Sequence, residues 1–234
     1  MYEKQNINYF FTDKTDGNLA FHVDDIKEDV IQNHQRLSIK HNYNYLSLVY
    51  MKQVHSNKVH IVTDKDNFLN PPTTDALITD KIATPLMVMV ADCTPIIFYD
   101  KVKNIIAVAH AGRSGAFYNI IENVIKSFTN DFHSNISDIK VIIGVSISKK
   151  CYEVSQDIYD EAKNLNLEYA IEDKNGKYTL DIKQILLKQL HHTGILKHNI
   201  INKDICNCCN TSKYFSFRKE KQTGRYAGVI YIES

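Results

Sequence analysis

Three observations place this chain among the mixed folds, α/β or α+β, and the assignment adopted is α+β, mixed β-sheets layered with α-helices. First, short Val- and Ile-rich runs alternate with stretches of helical periodicity along the whole length. Second, "PLMVMVA" (85–91), "PIIFYD" (95–100) and "NIIAVAH" (104–110) are too short for ordinary helices and rich in β-branched residues. Such runs suit strands buried on both faces, and they call for at least one large mixed sheet. Third, the chain has only four prolines and eight glycines, with no Gly/Ser-rich hinge, repeat or low-complexity linker. One domain over residues 1–234 is therefore expected.

The elements follow in chain order. "DDIKEDVIQNHQRLSIK" (24–40) predicts a helix, with Asp24 or Asp25 as N-cap and Ile26, Val30 and Leu37 on one face. "LSLVYMKQVH" (46–55) and "KVHIVT" (58–63) read as strands. The three apolar runs come next. After "AGRSG" the period changes: Ile120, Ile121, Val124, Ile125 and Phe128 recur at helical spacing. "SQDIYDEAKNLN" (155–166) and "DIKQILLKQLHHTG" (181–194) predict two more helices, with Ser155 and Asp181 as N-caps and Gly194 as a stop. "YFSFRK" (214–219) and "YAGVIYI" (226–232) predict a closing hairpin around "KEKQTGR".

Composition narrows the function classes. Hydrophobic residues make up 44% and charged residues 24%, the mix of a folded soluble protein. A net charge of +1 gives no reason to expect nucleic acid or an anionic membrane as partner. The opening "MYEKQNINYFFTDKTDG" lacks the pattern of a secretory leader, and no apolar stretch approaches the roughly 18 residues of a membrane span. The five cysteines, Cys93, Cys151, Cys206, Cys208 and Cys209, are odd in number and crowded, a poor disulfide framework. A reducing, cytoplasmic setting is the expectation.

Two apolar runs stop on reactive side chains, Asp92-Cys93 and His110. Neighbouring strands that finish at one sheet edge bring their last residues together, where ligands commonly bind. "MKQVHSNKV" sets His55 where a third strand should end. His55, Cys93 and His110 would make a sulfur–nitrogen–nitrogen set with an open fourth position, the layout of a catalytic zinc centre that acidifies a bound water. The same atoms admit a different chemistry. Cys93 and His110 could form a thiolate–imidazolium pair, with Asp92 or another acid orienting the ring. The plainest alternative is a small buried thiol beside a hydrogen-bonded histidine.

Other motifs are weaker. Gly112 and Gly115 in "AGRSGA" open a helix start, where Arg113 or the Ser114 hydroxyl could help hold an anion; an ordinary strand–helix turn is the competing reading. "CNCC" (206–209) offers no second C-x-x-C pair and reads as structural or incidental thiols. His191 and His192 read as solvated groups at a helix C-terminus. Arg218 and Arg225 flank the last hairpin and could reach an anion.

Taken together, "QVHS" (53–56), "TDALIT" (74–79), "ADCTPI" (91–96), "AVAHAG" (107–112), "CYEV" (151–154) and "YFSFRKEKQTGRYAGVIYI" (214–232) resemble one family in its own order. It is the YfiH-like laccase-domain family, labelled both multicopper polyphenol oxidoreductase and purine nucleoside phosphorylase. A fainter match runs through "FFTDKTDGNLAFHVDD" (10–25). The resemblance implies layered mixed sheets, distantly like a deamidating toxin's cysteine hydrolase domain. It also implies one zinc held by His55, Cys93 and His110. It further implies phosphorolysis of adenosine, inosine and methylthioadenosine and deamination of adenosine, so a purine nucleoside and phosphate are the expected small-molecule partners.

Two departures bear on the substrate. The family's A-H-A-G-W-R-G is "AHAGRSG" here, so Arg113 stands at its tryptophan and Ser114 at its arginine. The family's T-R-x-G-G-x-S is reduced to "TDKTDGN", with Lys14 as the basic replacement. Substrate contacts are therefore expected from Lys14, Arg113, Ser114 and Arg218. The copper label fits less well, because copper-cluster oxidases rely on H-x-H pairs and the ten histidines here include none. Copper could still enter the same three ligands. A Cys-His amide hydrolase editing peptidoglycan precursors is the remaining alternative.

Overall fold

In the computed structural model, which describes residues 6–233, the centre is the hairpin of β5 (Thr94–Asp100) and β6 (Ile105–Ala111). The two pair antiparallel, from Thr94 opposite Ala111 to Asp100 opposite Ile105. Alternation of their side chains dictates what lies on each face. Ile96, Phe98, Ala107 and Ala109 point one way; Ile97, Ile106 and Val108 point the other. Both sets are buried, so the hairpin needs a cover on each side, and the fold supplies two.

The hairpin grows into a six-stranded sheet. On one side β7 (Ile139–Ile143) pairs antiparallel with β5, and β11 (Ile200–Asn202) pairs parallel with β7. On the other, β3 (Ala76–Thr79) pairs antiparallel with β6, and β2 (Val59–Ile61) pairs parallel with β3. One face packs on α2 (Arg113–Phe117), α3 (Ile120–Lys126) and α5 (Ile182–His192), with Ile120, Ile121, Val124 and Phe128 all fully buried.

The other face packs on a three-stranded antiparallel sheet in which β12 (Tyr226–Ile232) lies between β1 (Ile7–Phe11) and β4 (Leu86–Val90). Leu86, Val88, Tyr226 and Ile230 fill the seam between the sheets. Met87, Met89, Ala227 and Val229 turn outward against Leu37 of α1 (Lys27–Lys40). Helices, large sheet, small sheet and helix therefore stack in series. Each fully buried Leu, Ile or Met contributes roughly 1.5–3 kcal/mol. A small meander of β8 (Glu153–Val154), β10 (Lys177–Leu180) and β9 (Ile171–Lys174), with α4 (Gln156–Asn164) beside it, fills the remaining chain. Among the described residues, no helix is long and apolar enough to cross a membrane.

The α+β assignment agrees with this architecture, and the three apolar runs form strands that are buried except at Tyr99. Four local expectations are corrected. Helix α1 begins after Ile26, not at an aspartate cap, because the Asp25 carboxylate is taken by Asn18 and the Ile26 N–H. Ile26 itself is exposed. Residues 46–55 are not a strand: Leu46 and Ser47 finish a 3-10 turn (Tyr45–Ser47), and the rest makes only bridges, Val49 to Leu86 and Lys52 to Thr73, because this segment crosses between the two sheets. "YFSFRK" is not a strand: α6 (Phe217–Glu220) starts there, capped by the Ser216 hydroxyl, and β12 takes β1 and β4 as its neighbours. Asp181 caps α5 through the Gln184 N–H as expected, while Ser155 sits at the cap of α4 without such a bond.

Candidate active site

The link between β4 and β5 spans residues 91–93 and carries the chain from the small sheet to the large one. It turns sharply, with Asp92 in a left-handed conformation at φ +91°. Such a backbone costs about 1–3 kcal/mol in a residue with a side chain. The Asp92 carboxylate offsets it by accepting the Arg218 N–H at 2.6 Å, the Ser216 hydroxyl at 2.7 Å and the Asn207 amide at 2.8 Å. Cys93 is thereby aimed into the open end of the seam. Directly across the hairpin, Pro95 stands opposite His110, which brings the two reactive residues to one edge.

Asp75, fully buried just before β3, organises the rest. Its carboxylate accepts the N–H groups of Val54 (3.3 Å), His55 (3.0 Å) and Ser56 (2.6 Å), together with the Ser56 hydroxyl (2.7 Å). These bonds wrap the 54–56 backbone around the anion and put His55 in a left-handed turn at φ +59°. The same carboxylate stands 2.9 Å from His110 Nδ1. Burial pushes the Asp75 pKa up, but the bonds from His110 and Ser56 outweigh it and hold the group at about 2. As an anion Asp75 accepts Nδ1–H, which turns Nε2 to the other side, where a metal ion would take its lone pair in exchange for its proton.

The ligand atoms of His55, Cys93 and His110 all lie within 4.8 Å of one another. The two imidazoles meet edge to face, centroids 4.8 Å apart. Gly112 closes the group: a Cβ there would stand 2.9 Å from Cys93 Sγ and 3.2 Å from His55 Cδ2. Burial raises the Cys93 thiol pKa, but the His110 charge and the hydrogen bonds from both histidines bring it below its ordinary value. Burial alone would depress His110, yet the Cys93 charge and the Asp75 bond raise it. One thiolate-prone sulfur and two oriented imidazoles form a donor set that fits zinc, and an Asp-His pair behind a ligand is the usual support for such an ion.

The trio opens into a cavity of about 680 Å³. Arg113, Arg218 and Arg225 line it together with His22 and Tyr152, and the Arg218 guanidinium rests 5.2 Å from the Tyr152 ring centre. Val90, Ile147 and Phe217 add apolar wall. A positive, half-apolar cleft beside a sulfur–nitrogen centre can bind an anion and a flat ring at once.

Not every expected residue is here. Lys14 spends its ammonium on Glu220 at 2.5 Å and the Thr211 carbonyl at 2.6 Å, away from the cavity. Ser114 does not line it either. Arg113 does, though its guanidinium is paired with Glu161. Helix α2 has only five residues, so its dipole gives little to an anion. Asp92 braces the "SFR" segment, and the acid that orients His110 is Asp75. Sequence reasoning missed Asp75, His22 and Tyr152. Asp75 stood inside the "TDALIT" (74–79) match, directly ahead of an apolar run, and that was the signal for the first.

A sequence model of the multi-copper polyphenol oxidoreductase laccase family matches residues 11–233. The purine nucleoside phosphorylase YlmD of Bacillus subtilis is 31% identical over 224 residues, 91% of this chain and 81% of that protein. A purine nucleoside phosphorylase of Clostridium acetobutylicum is 34% identical over 197 residues, 82% of this chain and 80% of that one. The crystal structure of the hypothetical protein YfiH from Bacillus licheniformis superposes with a TM-score of 0.92 at 29% identity, covering 97% of this chain and 93% of its own. YlmD from Geobacillus stearothermophilus gives 0.89 at 26% identity, covering 100% and 93%. By a match that spans almost its whole length, this chain belongs to the multi-copper polyphenol oxidoreductase laccase family.

Proposed function

We propose that this chain is a zinc-dependent purine nucleoside enzyme, which phosphorolyses adenosine, inosine and methylthioadenosine and deaminates adenosine. The observation that carries the reading is one cavity with the His55, Cys93 and His110 trio on one wall and Arg218 and Arg225 on another. The relatives named purine nucleoside phosphorylase support it. His55, Cys93 and His110 would hold the ion, which when bound supplies a Lewis acid beside the substrate. Asp75 holds the ring of His110 in the tautomer that presents Nε2. Arg218 and Arg225 attract the phosphate, and Tyr152, Phe217 and Ile147 give the purine an apolar wall.

In phosphorolysis a phosphate oxygen bonds to ribose C1′, the C1′–N9 bond breaks, and its electron pair leaves with the base, which takes up a proton. Deamination replaces the C6 amino group by water oxygen and releases ammonia. Phosphorolysis needs a phosphate beside the nucleoside, and deamination needs a water at the purine ring; a cavity with arginines and an apolar wall suits both.

A second reading has its own support. Cys93, His110 and Asp75 stand in the order nucleophile, base, orienting acid, which suits an amide hydrolase. Copper oxidation has less: among the described residues, a single three-ligand cluster contains histidine. Metal content and product analysis on purified wild type and Cys93→Ala separate the readings. One equivalent of zinc lost in the variant, together with phosphate-dependent release of adenine and formation of inosine from adenosine, supports the proposal. Zinc with untouched nucleosides overturns the substrate assignment, and amide hydrolysis by metal-free protein would favour the second reading.

A further inference from the structure

The four remaining cysteines lie outside this cavity, and three of them converge. Cys151 precedes β8, while Cys206 and Cys209 bracket a tight turn after β11. Their sulfurs all lie within 4.8 Å of one another, with Cys151 Sγ 3.2 Å from Cys209 Sγ. All are free thiols.

The turn that carries them is built firmly. Ser146 bridges Cys206, and the Ser148 N–H donates to Cys206 Sγ at 3.3 Å. Between the cysteines, fully buried Asn207 donates to Asp92 and to the Phe215 carbonyl, both at 2.8 Å. Cys206 and Cys209 thus form a C-x-x-C pair held from both sides, and Cys151 reaches it across 58 residues.

We propose that Cys151, Cys206 and Cys209 form a second metal site, a three-thiolate site for zinc whose fourth position is taken by water. Zinc–sulfur bonds of about 2.3 Å in a tetrahedron set sulfurs roughly 3.8 Å apart, within the spread observed here. An all-sulfur set selects a soft or borderline ion and rejects magnesium or calcium. On binding, each ligand exchanges its S–H bond for a sulfur–zinc bond and its proton goes to solvent. Three thiolates around one Zn²⁺ leave a net negative complex, which Lys150, Lys183 and Lys213 on the adjoining 1150 Å³ cavity complement. The ion would brace the 206–209 turn, and through Asn207 the Asp92 link beside Cys93. The inference is independent of the nucleoside reading.

The test is zinc per chain in full-length wild type, Cys93→Ser, Cys209→Ser and the double variant, purified under reducing conditions and dialysed. The expected result is two equivalents in wild type, one in each single variant and essentially none in the double. Equal zinc in wild type and Cys209→Ser overturns the proposal, as does a Cys151–Cys209 disulfide in the freshly isolated protein. If Cys209→Ser does not fold, cobalt(II) loaded into Cys93→Ser decides. That protein lacks the cysteine of the first site, so sulfur-to-cobalt charge-transfer absorption arises from the second cluster, and its absence overturns the proposal.

Discussion

Two histidines in this molecule are almost equally buried and chemically opposite. His34, in α1, is wholly inaccessible and sits in the layer between that helix and the small sheet; His110, 3% exposed, closes the end of β6. His34 is enclosed by Phe21, Tyr50 and Phe68. Its Nε2 donates to the Leu19 carbonyl at 2.8 Å, and among the described residues its Nδ1 has no partner. Burial drives its pKa down to about 4, with the Leu19 bond opposing. His110 has a carboxylate on one nitrogen and a thiol on the other side, and its pKa moves up. Burial is common to both; the partners differ. A functional histidine is therefore recognised by what faces its nitrogens, not by depth.

The strongest way to break the contrast is to remove the carboxylate behind His110. Asp75→Asn takes away the anion that gathers three backbone N–H groups and fixes the imidazole. Loss of such a supporting partner typically weakens metal affinity about 10–100-fold. Competitive zinc titration should show that loss, with a lower melting temperature because the 54–56 turn loses its charged acceptor. Unchanged zinc affinity in Asp75→Asn would sink the claim that Asp75 positions the trio. Gly112→Ala is a gentler intrusion. Its φ of −77° tolerates a side chain, so the only penalty is the Cβ pressed on Cys93 Sγ and His55. An ångström of misplacement in a reacting group can cost on the order of 100-fold, so turnover should drop by about tenfold or more while melting temperature barely moves. Normal turnover in this variant would mean that the sulfur is not where the chemistry happens.

These residues also show how much could be read beforehand. Cys93 and His110 were legible because each ends a run of strand-forming residues, and the chain's burial pattern alone announces that. His55 was legible as one end of a "QVH" segment, but its left-handed turn was not. That turn is imposed by Asp75, 20 residues away in sequence. Non-local hydrogen bonds leave no periodicity behind. The misread "YFSFRK" shows the same limit: its alternation suits a strand, yet Ser216 and the Arg218 N–H are claimed by Asp92 from 124 and 126 residues away. The "CNCC" thiols looked incidental because their third partner, Cys151, is brought in by the meander. Layering, by contrast, is written locally in the even and odd positions of β5 and β6.

The other side of the contrast is testable through stability. In the window from about pH 6.5 down to about 4, an unfolded chain protonates His34 while the folded one keeps it neutral. The unfolded state then binds more protons, so stability rises with pH across this window. The contribution is complete above the unfolded value and is lost as pH falls towards the folded one, up to roughly 3 kcal/mol for a shift of this size. His34→Gln keeps a donor for the Leu19 carbonyl but cannot titrate. Urea unfolding at both ends of the window should show a smaller acid loss in the variant than in wild type; equal losses would refute the role of His34.

The smallest effect tests whether the lesson about partners extends to arginine. Arg113 and Arg218 both line the cavity, but Arg113 is already paired with Glu161 while Arg218 lies on the Tyr152 face. Among the described residues, no ion pair engages Arg218. Partly exposed pairs such as Arg113–Glu161 are worth about 0–1 kcal/mol, so Arg113→Gln should change the KM for phosphate by a factor of about five at most. Arg218→Gln removes the cation free to meet the anion, and hydrogen bonds to charged groups contribute about 1.5–3 kcal/mol, a KM rise of tenfold or more. The reverse ranking would mean that Glu161 releases Arg113 when phosphate arrives, and that a paired charge in this cleft is held in reserve.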